Sequence, residues 1–274
     1  MIIEILKTIL YGIVEGISEW LPISSTGHLI LLREILPLEA SDAFSEMFDV
    51  VIQLGAILAV IVLFFHKLNP FSFKKSVQER RNTVNLWGKV IVAVLPAAVL
   101  GLLLDDWLDE HLYNYITVAI ALIFYGILFI FLERGRRNTP RVKKTDDITY
   151  RTAAMIGLFQ CLAMIPGTSR SGATILGAML LGLSRGTAAE FSFFLAIPTM
   201  VGASLLKVVK FLVKGQAMTG NETMILVVGC VVAFLVSLVA IRSLMNYVKK
   251  HSFAAFGVYR IVLGALVLVY FLVK

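Results

Sequence analysis

Stretches of about twenty apolar residues recur along this sequence, at 48–65, 86–104, 115–132, 191–211, 224–241 and 254–273. Each is long enough to cross the ~30 Å hydrocarbon core of a bilayer as an α-helix, the one open-chain structure that pairs its own backbone groups there. Only short segments remain between them, so residues 1–274 read as a single integral membrane domain with no soluble module. Composition agrees, since 58% of the residues are hydrophobic, 16% are charged and the mean hydropathy is +0.87. Soluble domains carry about 25% charged residues. An all-α polytopic membrane protein is therefore expected.

The connecting segments alternate in charge. Glu34, Glu39, Asp42 and Glu46 form one acidic loop, and Asp105, Asp106, Asp109 and Glu110 another. Lys67, Lys74, Lys75, Arg80 and Arg81 form a basic loop, as do Arg134, Arg136, Arg137, Arg141, Lys143 and Lys144, and Lys249 with Lys250. Basic loops stay cytoplasmic. The net charge of +7 thus reports topology and contact with anionic lipid, and nucleic-acid binding is discarded. The first residues include Glu4 and lack a basic region, so no removable signal peptide is expected. Cys161 and Cys230 both fall in apolar segments and read as small buried side chains rather than a disulfide.

Residues 12–28, GIVEGISEWLPISSTGH, break the hydropathy pattern. Glu15 and Glu19 are one helical turn apart and share a face. Pro22 ends the helix, and Ser24, Ser25, Thr26, Gly27 and His28 follow where a span would continue apolar. The two short flanking helices, over 2–20 and 28–36, read as a re-entrant pair, which a membrane tolerates only where its non-helical tip is covered by protein or faces a water-filled cavity. The pattern returns at 157–172, GLFQCLAMIPGTSRSG, with Gln160 opposite Glu15, although the proline is one position out of step. Two repeats follow, 1–135 and 147–274, each a hairpin plus three crossings. Three crossings invert the second repeat relative to the first, so the hairpins enter from opposite leaflets and their polar tips meet near the midplane.

Ionisable groups at that depth are functional candidates. Arg170, amid Gly167, Thr168, Ser169, Ser171, Gly172 and Thr174, suits phosphate, because its planar fork matches phosphate oxygens and the N–H groups opening the next helix favour anions. The bland alternative is that Arg170 only pairs with Glu15 or Glu19. Those two carboxylates form a partial site for Mg²⁺ or Ca²⁺, with diphosphate oxygens and water completing the shell; a structural ion pair is the alternative. Ser25 and His28 allow a hydroxyl nucleophile with an imidazole base, a histidine nucleophile, or water attack assisted by His28. Ser24, Ser169 and Thr174 are candidates for phosphate oxygens, with helix capping as the plain reading of each. Asp49, Gln53 and Glu190 are positioned to support the tips. His66, His111 and His251 read as interfacial anchors, while Arg242 and Arg260 are expected to snorkel or to pair within the membrane.

Residues 15–28, EGISEWLPISSTGH, and 166–174, PGTSRSGAT, resemble the two signature motifs of the undecaprenyl-diphosphate phosphatase family, the bacitracin-resistance proteins of bacteria. FDVVIQLG at 48–55 and EFSFFLAIP at 190–198 resemble it too, with Asp49 standing where glutamate is expected in that family. The resemblance implies hydrolysis of a C55 polyprenyl diphosphate to its monophosphate, recycling the lipid carrier of cell-wall synthesis in the bacterial plasma membrane. It implies that Glu15 and Glu19 form the acidic motif, that Glu19, Ser25, His28 and Arg170 serve catalysis, and that Arg170, Ser169 and Thr174 bind phosphate. A divalent cation and a homodimer come with it. The rival reading is a transporter or flippase of the same lipid, since broken helices and inverted repeats are general transporter architecture.

Overall fold

A computed structural model describes residues 2–112, 114–135 and 140–273, the side chains of Asp105 and Asp109 excepted. Arg136 and Arg137 of the second basic loop and those two aspartate side chains lie outside the described residues. What is described is helical, with one isolated bridge between Val142 and Leu183. The helices are α1 (Ile2–Ser18), α2 (Ser25–Ile35), α3 (Asp42–Val51), α4 (Gln53–Leu63), α5 (Phe65–Leu68), α6 (Val77–Leu112), α7 (Tyr115–Gly135), α8 (Tyr150–Cys161), α9 (Arg170–Leu180), α10 (Arg185–Val213), α11 (Gly220–Lys250) and α12 (Ala254–Val273).

Among the described residues, six segments are long and apolar enough to cross a membrane: Asp42–Leu63, Val77–Leu104, Tyr115–Gly135, Arg185–Val213, Gly220–Lys250 and Ala254–Val273. Large apolar side chains such as Leu102, Leu103, Val239 and Val262 stand exposed along them, as lipid-facing surface requires. The first span begins six residues earlier than its hydropathy suggests, because Ser41 caps α3 by accepting from the Phe44 N–H at 3.2 Å. Asp42 and Glu46 therefore belong to the helix rather than to a loop. Likewise Arg80 and Arg81 lie in the opening turns of α6.

The short helices α2 and α9 both have eleven residues, about 16 Å at 1.5 Å per residue, roughly half the hydrocarbon thickness. Each opens on a serine in the left-handed region, Ser24 and Ser169, both with φ of 71°. Each serine Oγ accepts from the N–H three residues on, Gly27 at 3.4 Å and Gly172 at 3.1 Å. These caps are 145 positions apart, as are Gly12 and Gly157, and Glu15 and Gln160. The tips therefore correspond without a gap: Pro22 answers to Gly167, and the displaced prolines are not equivalent.

Contacts between the halves are exchanged in the same way. Helix α1 packs on α11 and its counterpart α8 on α6, α4 packs on α11 and α10 on α6, and α7 lies against α12. Gly12 and Gly157 show why: a Cβ on Gly12 would come within 2.9 Å of the Gly229 carbonyl oxygen, and one on Gly157 within 2.2 Å of that of Ala93. Small residues let membrane helices approach this closely. Around these contacts the largest core cluster gathers Trp20, Phe191, Phe193 and Phe194, with Trp20 edge-on to Phe193 at 5.2 Å.

Candidate active site

Pro22 lacks the N–H a continuing helix needs, so α1 stops at Ser18 and the chain turns before restarting at Ser25. The turn places Glu19 after the last helical residue and Ser25 at the head of the next helix. In the second tip, Gly167 adopts φ of +90° and packs so closely on Val118 that a Cβ would lie 2.4 Å from its carbonyl oxygen. That turn brings Arg170 to the first position of α9.

The tips meet through these residues. Arg170 Nη2 donates to Glu19 Oε1 at 2.7 Å, and Ser25 Oγ donates to Glu19 Oε2 at 2.7 Å. Arg170 Nη1 donates to the Ser192 carbonyl of α10 at 2.9 Å, and its guanidinium lies 5.8 Å from the Trp20 ring. Ser171 Oγ crosses to the Glu19 carbonyl at 3.0 Å. Glu19 is thus buried between a cation and a hydroxyl, beside a cavity of about 450 Å³ lined by Glu19, Ser25, Thr26, Ser169, Arg170 and Gln160 among others. Away from the tips the walls are mostly apolar, with Val94, Ala98, Leu102, Met164 and Leu206 beside a single lysine, Lys207. A cavity polar at one end and mostly apolar at the other suits an amphiphile.

Not every residue singled out from the sequence reaches that wall. His28 does not line the cavity; Nδ1 meets the Ser24 carbonyl at 2.7 Å and Nε2 meets the Tyr259 hydroxyl at 2.7 Å. Both ring nitrogens are engaged away from Ser25. Ser24 is buried as the cap of α2. Thr174 lies behind Arg170, bonded to the Arg170 carbonyl at 3.0 Å and to Ser192 Oγ at 2.6 Å. Ser169 does line the cavity while capping α9. Asp49 and Gln53 line it as well, with Asp49 paired to Arg33, whereas Glu190 bonds Lys67 at 2.9 Å and stands apart.

Glu15 is fully buried, and neither of its carboxylate oxygens has a hydrogen-bond partner in the protein. It shares its electrostatic surroundings with Glu19, Asp49 and Arg170. Orphaned buried acceptors beside a second carboxylate fit a cation in donor chemistry. Among the described residues no group of three or more His, Cys, Asp or Glu gathers in one place, so oxygens from another source must complete any such shell.

Two residues escaped the sequence reading. Ser192 and Thr199 sit on α10, Ser192 holding Arg170 and Thr199 bonded to Gln160 at 3.2 Å; polar positions in the mostly apolar 191–199 stretch were their only signal. Arg260 does not snorkel. It is fully buried, and its guanidinium donates to backbone carbonyls rather than reaching water.

Comparison with known proteins is consistent with this geometry. A model of the family described as bacitracin resistance protein BacA matches residues 8–266. The chain is 58% identical to the undecaprenyl-diphosphatase of Enterococcus faecalis over 97% of both chains, and 58% identical to that of Limosilactobacillus fermentum over 98% of both. It is 57% identical to the undecaprenyl-diphosphatase of Acetivibrio thermocellus over 98% of both. With its two hairpin tips joined at Glu19 and Arg170 and the match running along nearly its whole length, this chain belongs to the BacA bacitracin resistance family.

Proposed function

We infer that this protein hydrolyses undecaprenyl diphosphate to undecaprenyl phosphate and inorganic phosphate. That reaction recycles the lipid carrier of the cell wall and confers resistance to bacitracin. The observation that carries the reading is the Ser25–Glu19–Arg170 constellation at the head of a cavity whose far walls are mostly apolar. Its relatives' shared name supports the substrate.

Arg170 and Ser169 bind the terminal phosphate; the Nη groups of the guanidinium are held by Ser192 and Glu19, and its Nε has no partner in the protein. Ser24 and Thr174 act from behind, as the cap of α2 and as a brace for Arg170 and Ser192. Ser25 is the nucleophile: Glu19 takes its proton as Oγ bonds the terminal phosphorus, and the bond from that phosphorus to the bridging oxygen breaks. Undecaprenyl phosphate leaves with the proton Glu19 releases. Water then cleaves the serine phosphoester, restoring the hydroxyl and freeing phosphate. Arg170 neutralises charge on the transferring oxygens throughout. The geometry favours Ser25 over His28, whose nitrogens are both committed elsewhere.

Glu15 and Glu19 are the residues that would hold Mg²⁺ or Ca²⁺, which when bound supplies further neutralisation of the diphosphate. The exchanged helix contacts support two repeats, 1–135 and 147–274, inserted with opposite topology so that the hairpins enter from opposite leaflets. The setting is the bacterial plasma membrane, and a homodimer is carried over from the family resemblance; cross-linking in native membranes reads that state.

Phosphate release by purified protein in detergent tests the central claim, because micelles offer no compartments between which a carrier could move lipid. Turnover of undecaprenyl diphosphate there, with a label from the terminal phosphate trapped on Ser25 after quenching, is the expected result. Protein that binds the lipid without releasing phosphate would instead be a carrier.

A further inference from the structure

Arg260, on α12, is fully buried among membrane helices. Its Nη1 donates to the Pro22 carbonyl at 3.2 Å and its Nη2 to the Gly167 carbonyl at 2.9 Å. Weaker bonds run to the α7 carbonyls of Ala121 at 3.5 Å and Leu122 at 3.4 Å, and the Tyr125 ring lies 5.7 Å from the guanidinium. Among the described residues it forms no ion pair with a carboxylate. Pro22 and Gly167 are equivalent positions of the two tips, each two residues ahead of its left-handed serine cap. One side chain therefore grips the same carbonyl in both tips. It also lies against the first turn of α9, where a Cβ on Gly172 would be 3.1 Å from its Nη1.

Burying a cation without a carboxylate is costly, and a well-packed apolar side chain commonly serves stability better. What the guanidinium supplies instead is a fixed separation between two carbonyls, which only a planar group with several donors can set. The catalytic groups sit within three residues of those carbonyls: Glu19 and Ser25 on either side of Pro22, and Arg170 beyond Gly167.

We propose that Arg260 is the positioning residue that sets the first tip against the second, and through them the placement of Ser25 and Glu19 relative to Arg170. The proposal rests on the hydrolytic reading above. A lysine has one compact charge and cannot span both carbonyls in the same geometry. Misplacing reacting groups by ~1 Å can cost on the order of a hundredfold in rate.

The test is phosphate release by purified wild type, Arg260→Lys, Arg170→Lys and the double variant, with thermal unfolding recorded for each. Arg260→Lys is expected to lower kcat by at least about tenfold with KM changed less than about threefold. Added to Arg170→Lys, it should bring little further loss, since both disturb one arrangement. A folded Arg260→Lys protein with wild-type kcat, or losses that multiply independently, would overturn the proposal. Should Arg260→Lys fail to fold, Gly172→Ala presses on the same guanidinium, and on Ser169, from α9; wild-type kcat there overturns the proposal equally, and so does a loss that falls on KM rather than kcat. Wild type without turnover would sink the hydrolytic reading itself, an outcome separate from either variant's behaviour.

Discussion

Glu19 and Arg170 lie 151 positions apart in the chain and meet at 2.7 Å, with side chains only 5% and 12% exposed. A buried pair of this kind is weak evidence for stability, because desolvation offsets most of the Coulombic attraction. Its place beside the cavity accords with the charge handling proposed above. Arg170→Ala or Glu19→Gln is expected to lower kcat for polyprenyl diphosphate by ~10² to 10³ or more, the scale of removing one preorganised group at a developing charge. Phosphate release measured beside a size-exclusion profile checks this. A folded variant of normal turnover removes that residue from the mechanism.

Ser25→Ala and His28→Ala separate the nucleophile from its neighbour. The hydroxyl is bonded to Glu19 while the imidazole is bonded to Ser24 and Tyr259. Ser25→Ala should therefore lose at least about tenfold more kcat than His28→Ala, and only Ser25→Ala should abolish the trapped phosphoenzyme. Equal losses in both, with the label still trapped, would return the choice of nucleophile to histidine or water.

Glu15→Gln addresses the cation. A ligand present at a hundred times its Kd stabilises the folded state by about 2.7 kcal/mol. Wild type should unfold at a higher temperature when Mg²⁺ or Ca²⁺ is added, and Glu15→Gln should lose that rise while staying folded in chelator. An undiminished rise in the variant places the cation elsewhere.

Gly157→Val tests the packing on which the tips depend. The new side chain would meet the Ala93 carbonyl at a distance no Cβ tolerates, and overpacking of this kind costs about 1–3 kcal/mol. Lower thermal stability is expected. Unchanged unfolding would show that α6 and α8 separate freely.

Much of this was legible in the sequence because lipid imposes strict rules. Spans announce themselves through hydropathy, and the broken segments through proline and serine where apolar residues should continue. That the acidic tip would meet Arg170 was expected from the repeat, but which of Glu15 and Glu19 it would pair with was not. The register of that repeat was harder to see, since Pro22 and Pro166 occupy different places in their turns while the serine caps are the true equivalents. Arg260 was read as snorkelling or pairing within the membrane; that its partners are backbone carbonyls was hidden, because carbonyls carry no mark in a sequence. The turning of His28, Ser24 and Thr174 away from the cavity was hidden for a related reason: a helix cap and a ligand contact call for the same residue types.

The exchange of contacts has a consequence for how the protein is made. Helix α1 packs on α11, which begins only at Gly220, so α1 is synthesised long before the surface it rests on. Because α8 rests in turn on α6, the packing surfaces of α1 and α8 are each supplied by the other half of the sequence.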